Sequence, residues 1–174
     1  MLSIQAPRLT LIANDSTLAA LQADDPASFY DKVGALAASS WPPEPFDADG
    51  LQWVRSALQT DPDGEGWYGW VLLADAGEGR KKLVGAAVLV GRPDFDGEVE
   101  LGFGVLPEAR GQGFAGEAIQ SLVDWALNNG ATRVVVHFAA EDESSKKMLS
   151  ANGFVDSGEI PYPGVARYVM AKVA

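Results

Sequence analysis

Hydrophobic residues make up 47% of this 174-residue chain and charged residues 21%, the balance of one globular domain, residues 1–174, that buries its own core. With no cysteine and one histidine, the chain excludes disulfides, thiol catalysis, thiolate metal sites and a multi-histidine site, so no metal is expected. Thirteen basic residues against 24 acidic ones leave a net charge of −11, which repels nucleic acid and anionic membranes at long range; it either favours cationic partners or only aids solubility.

In chain order, PRLTLI (7–12) reads as a short strand. Asp15 and Ser16 can cap a helix over 17–23, and Pro26 opens another over 27–38. WPPEPF (41–46) is a stiff extended loop, because its prolines exclude regular structure. Leu51, Val54 and Leu58 recur at helical spacing before Asp61-Pro62-Asp63-Gly64. Strands are expected at 67–74 and 83–90, joined by the polar turn DAGEGRKK, and at 98–105 after PDFDG. A helix over about 113–128 presents Ile119, Leu122, Val123 and Ala126 on one face and stops at Asn129-Gly130. ATRVVVHFA is a further strand, and EDESSKKMLSAN a short helix with acids in its first turn and Gly153 past its end. FVDSGEI and VARYVMAKV close the chain as strands. The order predicts an α+β fold with one mixed, mostly antiparallel sheet flanked by helices. No basic segment followed by an apolar run opens the chain, and no stretch of about eighteen apolar residues occurs. The expectation is a cytoplasmic protein with no membrane partner.

The most informative segment is ELGFGVLPEARGQGFAGEA, residues 100–118. Here an apolar strand passes through Pro107 into Arg110-Gly111-Gln112-Gly113-Phe114-Ala115 and then into a helix. A glycine-rich turn at a helix N-terminus aims several unpaired N–H groups in one direction, where the helix dipole adds positive potential. It suits a phosphate, with Arg110 as a fixed charge. Arg133, Lys146 and Lys147 also fall in this half of the chain, near the turn. Gly111-x-Gly113-x-x-Gly116 matches the dinucleotide fingerprint literally, but Pro107-Glu108-Ala109 separates strand from glycines and the position twenty beyond is Val136, not an acid. No Gly-Lys-Ser/Thr closes a Walker loop.

The remaining pattern, V-x-P-x-x-R-x-x-G-x-A over Val105 to Ala115, resembles the acyl-CoA-binding motif of the GNAT N-acetyltransferase superfamily. SSKKMLSANGF is similar to that superfamily's GF-terminated helix, and the opening PRLTL with two helices resembles the branch containing ribosomal-protein N-terminal acetyltransferases. The resemblance implies a GNAT-like single domain and acetyl-CoA as cosubstrate. The acceptor it implies is a primary amine of a small molecule or of a peptide N-terminus; a homodimer stays open. The pyrophosphate would lie on Gly111, Gln112, Gly113, Phe114 and Ala115 beside Arg110. The amide-rich pantetheine arm would pair with the strand edge at Phe103, Gly104 and Val105, provided the turn at Pro107 splays that edge from the next strand.

An amine of pKa about 10.4 is neutral in only on the order of one molecule in a thousand at pH 7, so acetyl transfer needs a base. Glu100 is the candidate, resembling the glutamate that serves many relatives through water; a solvated glutamate is the alternative. Glu98, two residues earlier on the same face, is second choice and a candidate acceptor contact. Where many relatives carry a tyrosine acid this chain has Leu149, and the family asparagine corresponds to Asp142, a cofactor contact here. Ser145 can donate to cofactor sulfur or pantetheine, or serve as an ordinary first-turn serine. Strand alternation puts His137 opposite Val134, Val136 and Phe138, and it reads as structural. Trp41, between a helix and prolines, is placed to wall an acceptor pocket. The missing tyrosine leaves a second function open, a non-catalytic acyl-CoA-binding sensor or subunit.

Overall fold

The computed structural model describes residues 1–173. Its frame is one open mixed sheet of nine strands, flanked by five helices. Strand β1 (Ser3–Gln5), which the sequence pattern did not announce, pairs antiparallel with β2 (Leu9–Ala13). Helix α1 (Ser16–Asp24) is capped by Asp15, whose carboxylate accepts from the Leu18 N–H. Helix α2 (Pro26–Val33) is shorter than the predicted 27–38. Gly34 ends it, its N–H returning to the carbonyls of Tyr30 and Asp31. The residues beyond form β3 (Ala35–Leu36), parallel to the start of β5, so strand pairing captures a segment whose composition alone allows helix.

Helix α3 (Ala48–Thr60) starts at the Asp47 cap and buries Val54 and Leu58. The antiparallel meander β4 (Gly69–Gly77), β5 (Arg80–Leu89) and β6 (Glu98–Val105) follows. The expected eight-residue turn between β4 and β5 contracts to Glu78-Gly79, because polar residues at both strand ends still pair across the hairpin. A 3₁₀ turn (Pro107–Ala109) leads to α4 (Phe114–Asn128), close to the predicted span. Strand β7 (Arg133–Ala139), α5 (Glu143–Ala151), the two-residue β8 (Val155–Asp156) and β9 (Val165–Ala171) complete the chain.

The two faces of the sheet do different work. Trp70 of β4 meets Trp125 of α4 at 5.4 Å between ring centroids, so α4 covers the face carrying the main core. On the opposite face Val88 of β5 packs with Val54 and Leu58 of α3 and Ala19 of α1. Leu149 and Phe154 anchor α5 and the segment after it in the main core. Burial of this apolar surface, about 25 cal/mol per Å², is the principal force holding the helices on the sheet.

One join positions the site. Strands β6 and β7 are parallel neighbours only over Glu98–Glu100 against Arg133–Val135. Past that point β6 continues beside β5 to Val105, and β7 continues beside β9 to Ala139. The sheet opens there into a V, leaving the outer edge of residues 101–105 without a strand partner.

Candidate active site

The glycine-rich turn stands at the open end of this V. Gly113 is the N-cap of α4 with φ 81°, a left-handed conformation in which a side chain is strained, and it offers no capping side chain. The backbone N–H groups of residues 111–116 have no hydrogen-bond partner among the described residues. Six donors are therefore left unpaired at the positive end of a 15-residue helix. A neutral capping residue would have used one of them; glycine leaves them all free.

The donors open into a cleft of about 490 Å³ running along the unpaired edge of β6 to the first turn of α5. Phe103, Gly104 and Val105 line it from the strand; Arg110, Gly111, Gly113, Phe114 and Ala115 line it from the turn. Asp142 and Ser145 line it from α5. These ten residues were expected together from the sequence, and one cavity joins them. Gln112 does not line it. Its backbone carbonyl faces the other way and accepts from Arg8 Nη1 at 2.7 Å, so its contribution to the turn is its backbone.

Arg8 is a residue the sequence pattern missed. Its backbone N–H and its Nε both donate to the carboxylate of Glu117, at 2.6 and 2.8 Å, and its guanidinium lies 4.9 Å from the Phe114 ring centroid. It ties β2 to the first turn of α4 and adds positive charge beside Gly113. Only the pairing of chain segments more than a hundred residues apart reveals it. Arg133, grouped with the turn on sequence proximity, lies instead at the far end of β7, against Glu98. Lys146 is engaged by Glu143 at 2.6 Å, and Arg110 Nε reaches the Val105 carbonyl at 3.3 Å.

Ser145 and Asp142 occupy each other. The Ser145 hydroxyl donates to Asp142 Oδ2 at 2.6 Å, and its N–H donates to Oδ1 at 3.0 Å. These bonds, the hydroxyl first, hold the Asp142 carboxyl below its ordinary range. The Ser145 proton is thus committed to capping α5, and in this arrangement it does not point at a departing sulfur. Ser144, one residue earlier, lines the same cleft, and its hydroxyl donates to nothing among the described residues. Leu149 is fully buried in the core.

At the apex of the V, Glu100 and His137 meet. His137 Nδ1 lies 2.9 Å from Glu100 Oε1, with the side chains 27% and 42% exposed, so both reach solvent and each other. Alternation sets His137 opposite Val134, Val136 and Phe138, as the sequence predicts, and on that face it meets Glu100. Parallel pairing sets Val135 opposite Glu100, and the strands' divergence brings the next residue on that face, His137, within reach. Glu98 is spoken for: its Oε2 accepts from Arg167 Nη2 at 2.6 Å and stands 2.8 Å from Arg133 Nε, a contact without hydrogen-bond alignment. Its carboxylate is engaged in an ion-pair network with Arg167 and Arg133. Trp41 also lies elsewhere than expected, stacked on Phe29 at 5.5 Å and packed against the main core, so it walls none of the cavities described.

The proline loop has its own role. A Cβ on Gly104 would lie 2.1 Å from the Glu44 carbonyl oxygen, so glycine there lets the loop rest directly on β6. Glu44 then lines the cleft. Among the described residues no group of three or more His, Asp or Glu side chains is placed to hold a metal, and no helix is long and apolar enough to cross a membrane.

Comparison with known proteins agrees with this architecture. Residues 16–155 match the family model described as an acetyltransferase (GNAT) domain. The chain is 24% identical over 156 residues to the uncharacterized N-acetyltransferase YjdG of Bacillus subtilis (strain 168), covering 89% of this chain and 90% of that one. Among solved structures, a ribosomal-protein-S5-alanine acetyltransferase from Vibrio fischeri superimposes with a TM-score of 0.64 at 16% identity, covering 98% of this chain and 97% of that one. A spermidine/spermine N-acetyltransferase, SpeG, from Vibrio cholerae gives 0.61 at 19% identity, with 94% and 92% covered. At these identities the solved structures speak for the fold alone, while the family model spans most of the chain; this protein belongs to the GNAT acetyltransferase family.

Proposed function

We propose that the protein moves an acetyl group from acetyl-CoA to a primary amine, on a small molecule or at a peptide N-terminus. The observation that carries this reading is the row of six free N–H groups at residues 111–116, set at the end of a strand edge that lacks a partner. The row fits a pyrophosphate, and the edge of residues 101–105 fits an amide-bearing arm that adds to the sheet as a strand would. When bound, acetyl-CoA supplies the activated thioester carbonyl at the apex of the V.

The chain's own residues then have distinct tasks. Residues 111–116 with Arg110 hold phosphate charge, and the carbonyls and N–H groups of 101–105 fix the arm. Holding the thioester against an amine contributes much of the acceleration. Glu100, exposed at the apex, takes the proton from the incoming ammonium directly or through one water, and His137 steadies the carboxylate and can pass the proton to solvent. As the new C–N bond forms and the C–S bond breaks, the nitrogen gives up its second proton, and the sulfur, leaving as a thiolate, takes one up.

Leu149 and the engaged Ser145 hydroxyl offer no side-chain acid for that last proton. This favours, as a second reading, a protein that binds acyl-CoA as a sensor or subunit without efficient transfer. Calorimetry with acetyl-CoA and CoA release with a panel of amines separate the two. Binding together with amine-dependent CoA release supports the enzyme; binding with no release from any amine supports the sensor. Gly113→Val should remove binding by at least about a hundredfold, because φ 81° is strained for any side chain and the added Cβ would press on the Arg8 guanidinium 3.2 Å away, so the turn must shift. Unchanged affinity in that variant would refute the assignment of the turn.

A further inference from the structure

On the face of the sheet that carries Glu100 there is a second cavity, of about 220 Å³, with an almost wholly apolar lining: Phe46, Gly50, Trp53, Val54, Val88 and Val90. Its position is set by strand register. The Val90 N–H donates to the Glu100 carbonyl at 2.9 Å, and Val88 is the register partner of Gly102. Neighbours across a sheet project to the same side, so Val90 stands beside Glu100 and Val88 beside Gly102. Gly102 and Gly104 place no side chain between this cavity and the cofactor cleft. The proline loop bridges the two: Glu44 lines the cleft and Phe46 lines the cavity.

We infer that this cavity receives the apolar substituent of the acceptor, so the preferred substrate is a primary amine carrying a hydrophobic group near the nitrogen, such as a peptide beginning with leucine, methionine or phenylalanine. The inference rests on the acetyl-transfer reading above and names its substrate class. Three observations support it. Trp53 and Val90 are 42% and 47% exposed although both are large and apolar, which leaves a concave hydrophobic surface uncovered beside the base. A drug-sized ligand fills roughly 300–1,000 Å³, so a cavity this size suits one side chain rather than a whole small molecule. Glu100 is the cross-strand neighbour of Val90, and Glu44 stands two residues before Phe46, while none of the cavity's lining residues is charged. A cationic nitrogen is therefore drawn to the apex and an uncharged group to the pocket. A polyamine would place a second ammonium against valine and tryptophan, at the cost of its hydration.

The test is a series of dipeptide amides with glycine, alanine, leucine, phenylalanine, aspartate or lysine first, alongside spermidine, read as CoA thiol release. The chain has no cysteine, so no protein thiol contributes to the signal. Each methylene in an apolar pocket is worth roughly tenfold or more, so leucine or phenylalanine should exceed glycine in kcat/KM by at least about tenfold. Gly50→Leu adds apolar bulk to the cavity from α3: a Cβ there meets nothing closer than 3.7 Å, so the backbone accepts a side chain at this position. It should collapse the leucine-to-glycine ratio toward one. Turnover without apolar preference, or a ratio that Gly50→Leu leaves intact, overturns the inference and spares the acetyl-transfer reading. Acetyl-CoA binding with no amine turned over overturns both. A flat acceptor profile together with a dimer that Val90→Asp dissociates would make the surface a contact between copies and overturn the inference as well.

Discussion

His137 Nδ1 stands 2.9 Å from Glu100 Oε1 at the point where β6 and β7 part, joining the only histidine of the chain to its candidate base. The contact exists because the two strands are parallel for three register pairs and then separate. If the imidazole steadies Glu100 and carries its proton away, His137→Ala should lower kcat by about 10–100-fold, with the KM for acetyl-CoA unchanged. Glu100→Gln should cost more, on the order of a hundredfold or above, also without loss of acetyl-CoA affinity. Steady-state kinetics across pH check both. A His137→Ala enzyme with the wild-type kcat would make the histidine structural only.

Gly104→Ala tests the proline loop. The added methyl meets backbone, the Glu44 carbonyl oxygen at 2.1 Å, so residues 41–46 must shift rather than one side chain turn aside. The substitution should destabilise the protein by about 1–3 kcal/mol. It should also perturb acceptor and cofactor kinetics together, because Glu44 and Phe46 line different cavities on the same loop. Thermal unfolding and the two KM values measure this; an effect on stability alone would separate the loop from the site.

Asp142 gives a pH-dependent prediction. The Ser145 hydroxyl and N–H hold its carboxyl below the ordinary 3.8, so the ionised form is stabilised by folding. That stabilisation is complete above the unfolded-state value and is lost as pH falls through the lower, folded-state value. Asp142→Ala removes the cap of α5 and should cost about 1 kcal/mol near pH 7, roughly 2–4 °C in melting temperature for a chain of this size. The gap to wild type should narrow below about pH 4, where the carboxylate of the wild type protonates. Asp142→Asn, which keeps a capping oxygen, should lie between them. Melting curves at neutral and acid pH test the order.

The ion pairing of Arg8 with Glu117 predicts coupling between the first strands and the glycine-rich turn. Glu117 is 13% exposed and accepts from both the backbone and the guanidinium of Arg8. Glu117→Ala leaves the Arg8 N–H unpaired and frees the guanidinium that holds the Gln112 carbonyl. Stability should fall by about 1–3 kcal/mol, and acetyl-CoA affinity should fall severalfold with it. Calorimetry on the variant checks this; unaltered affinity would limit the pair to a structural staple.

Much of this protein is written locally. Three features of the sequence determined the glycine-rich turn: Pro107 stops the strand, Gly113 opens the helix without a capping side chain, and the apolar stripe through Ile119, Leu122 and Val123 begins at once. All act within a few residues, so spacing alone exposes them. What lies around the turn depends on contacts between distant segments. Helix α2 ends early because Ala35 and Leu36 find a strand partner in β5. Trp41 turns to Phe29, while Trp53, unremarkable on a helix, faces the open cavity. Glu98 and Glu100 look alike in sequence, yet one is held by Arg167 and the other is free to meet His137. Only the sheet decides these, because two strands that run together and then diverge pair one glutamate structurally and expose the next.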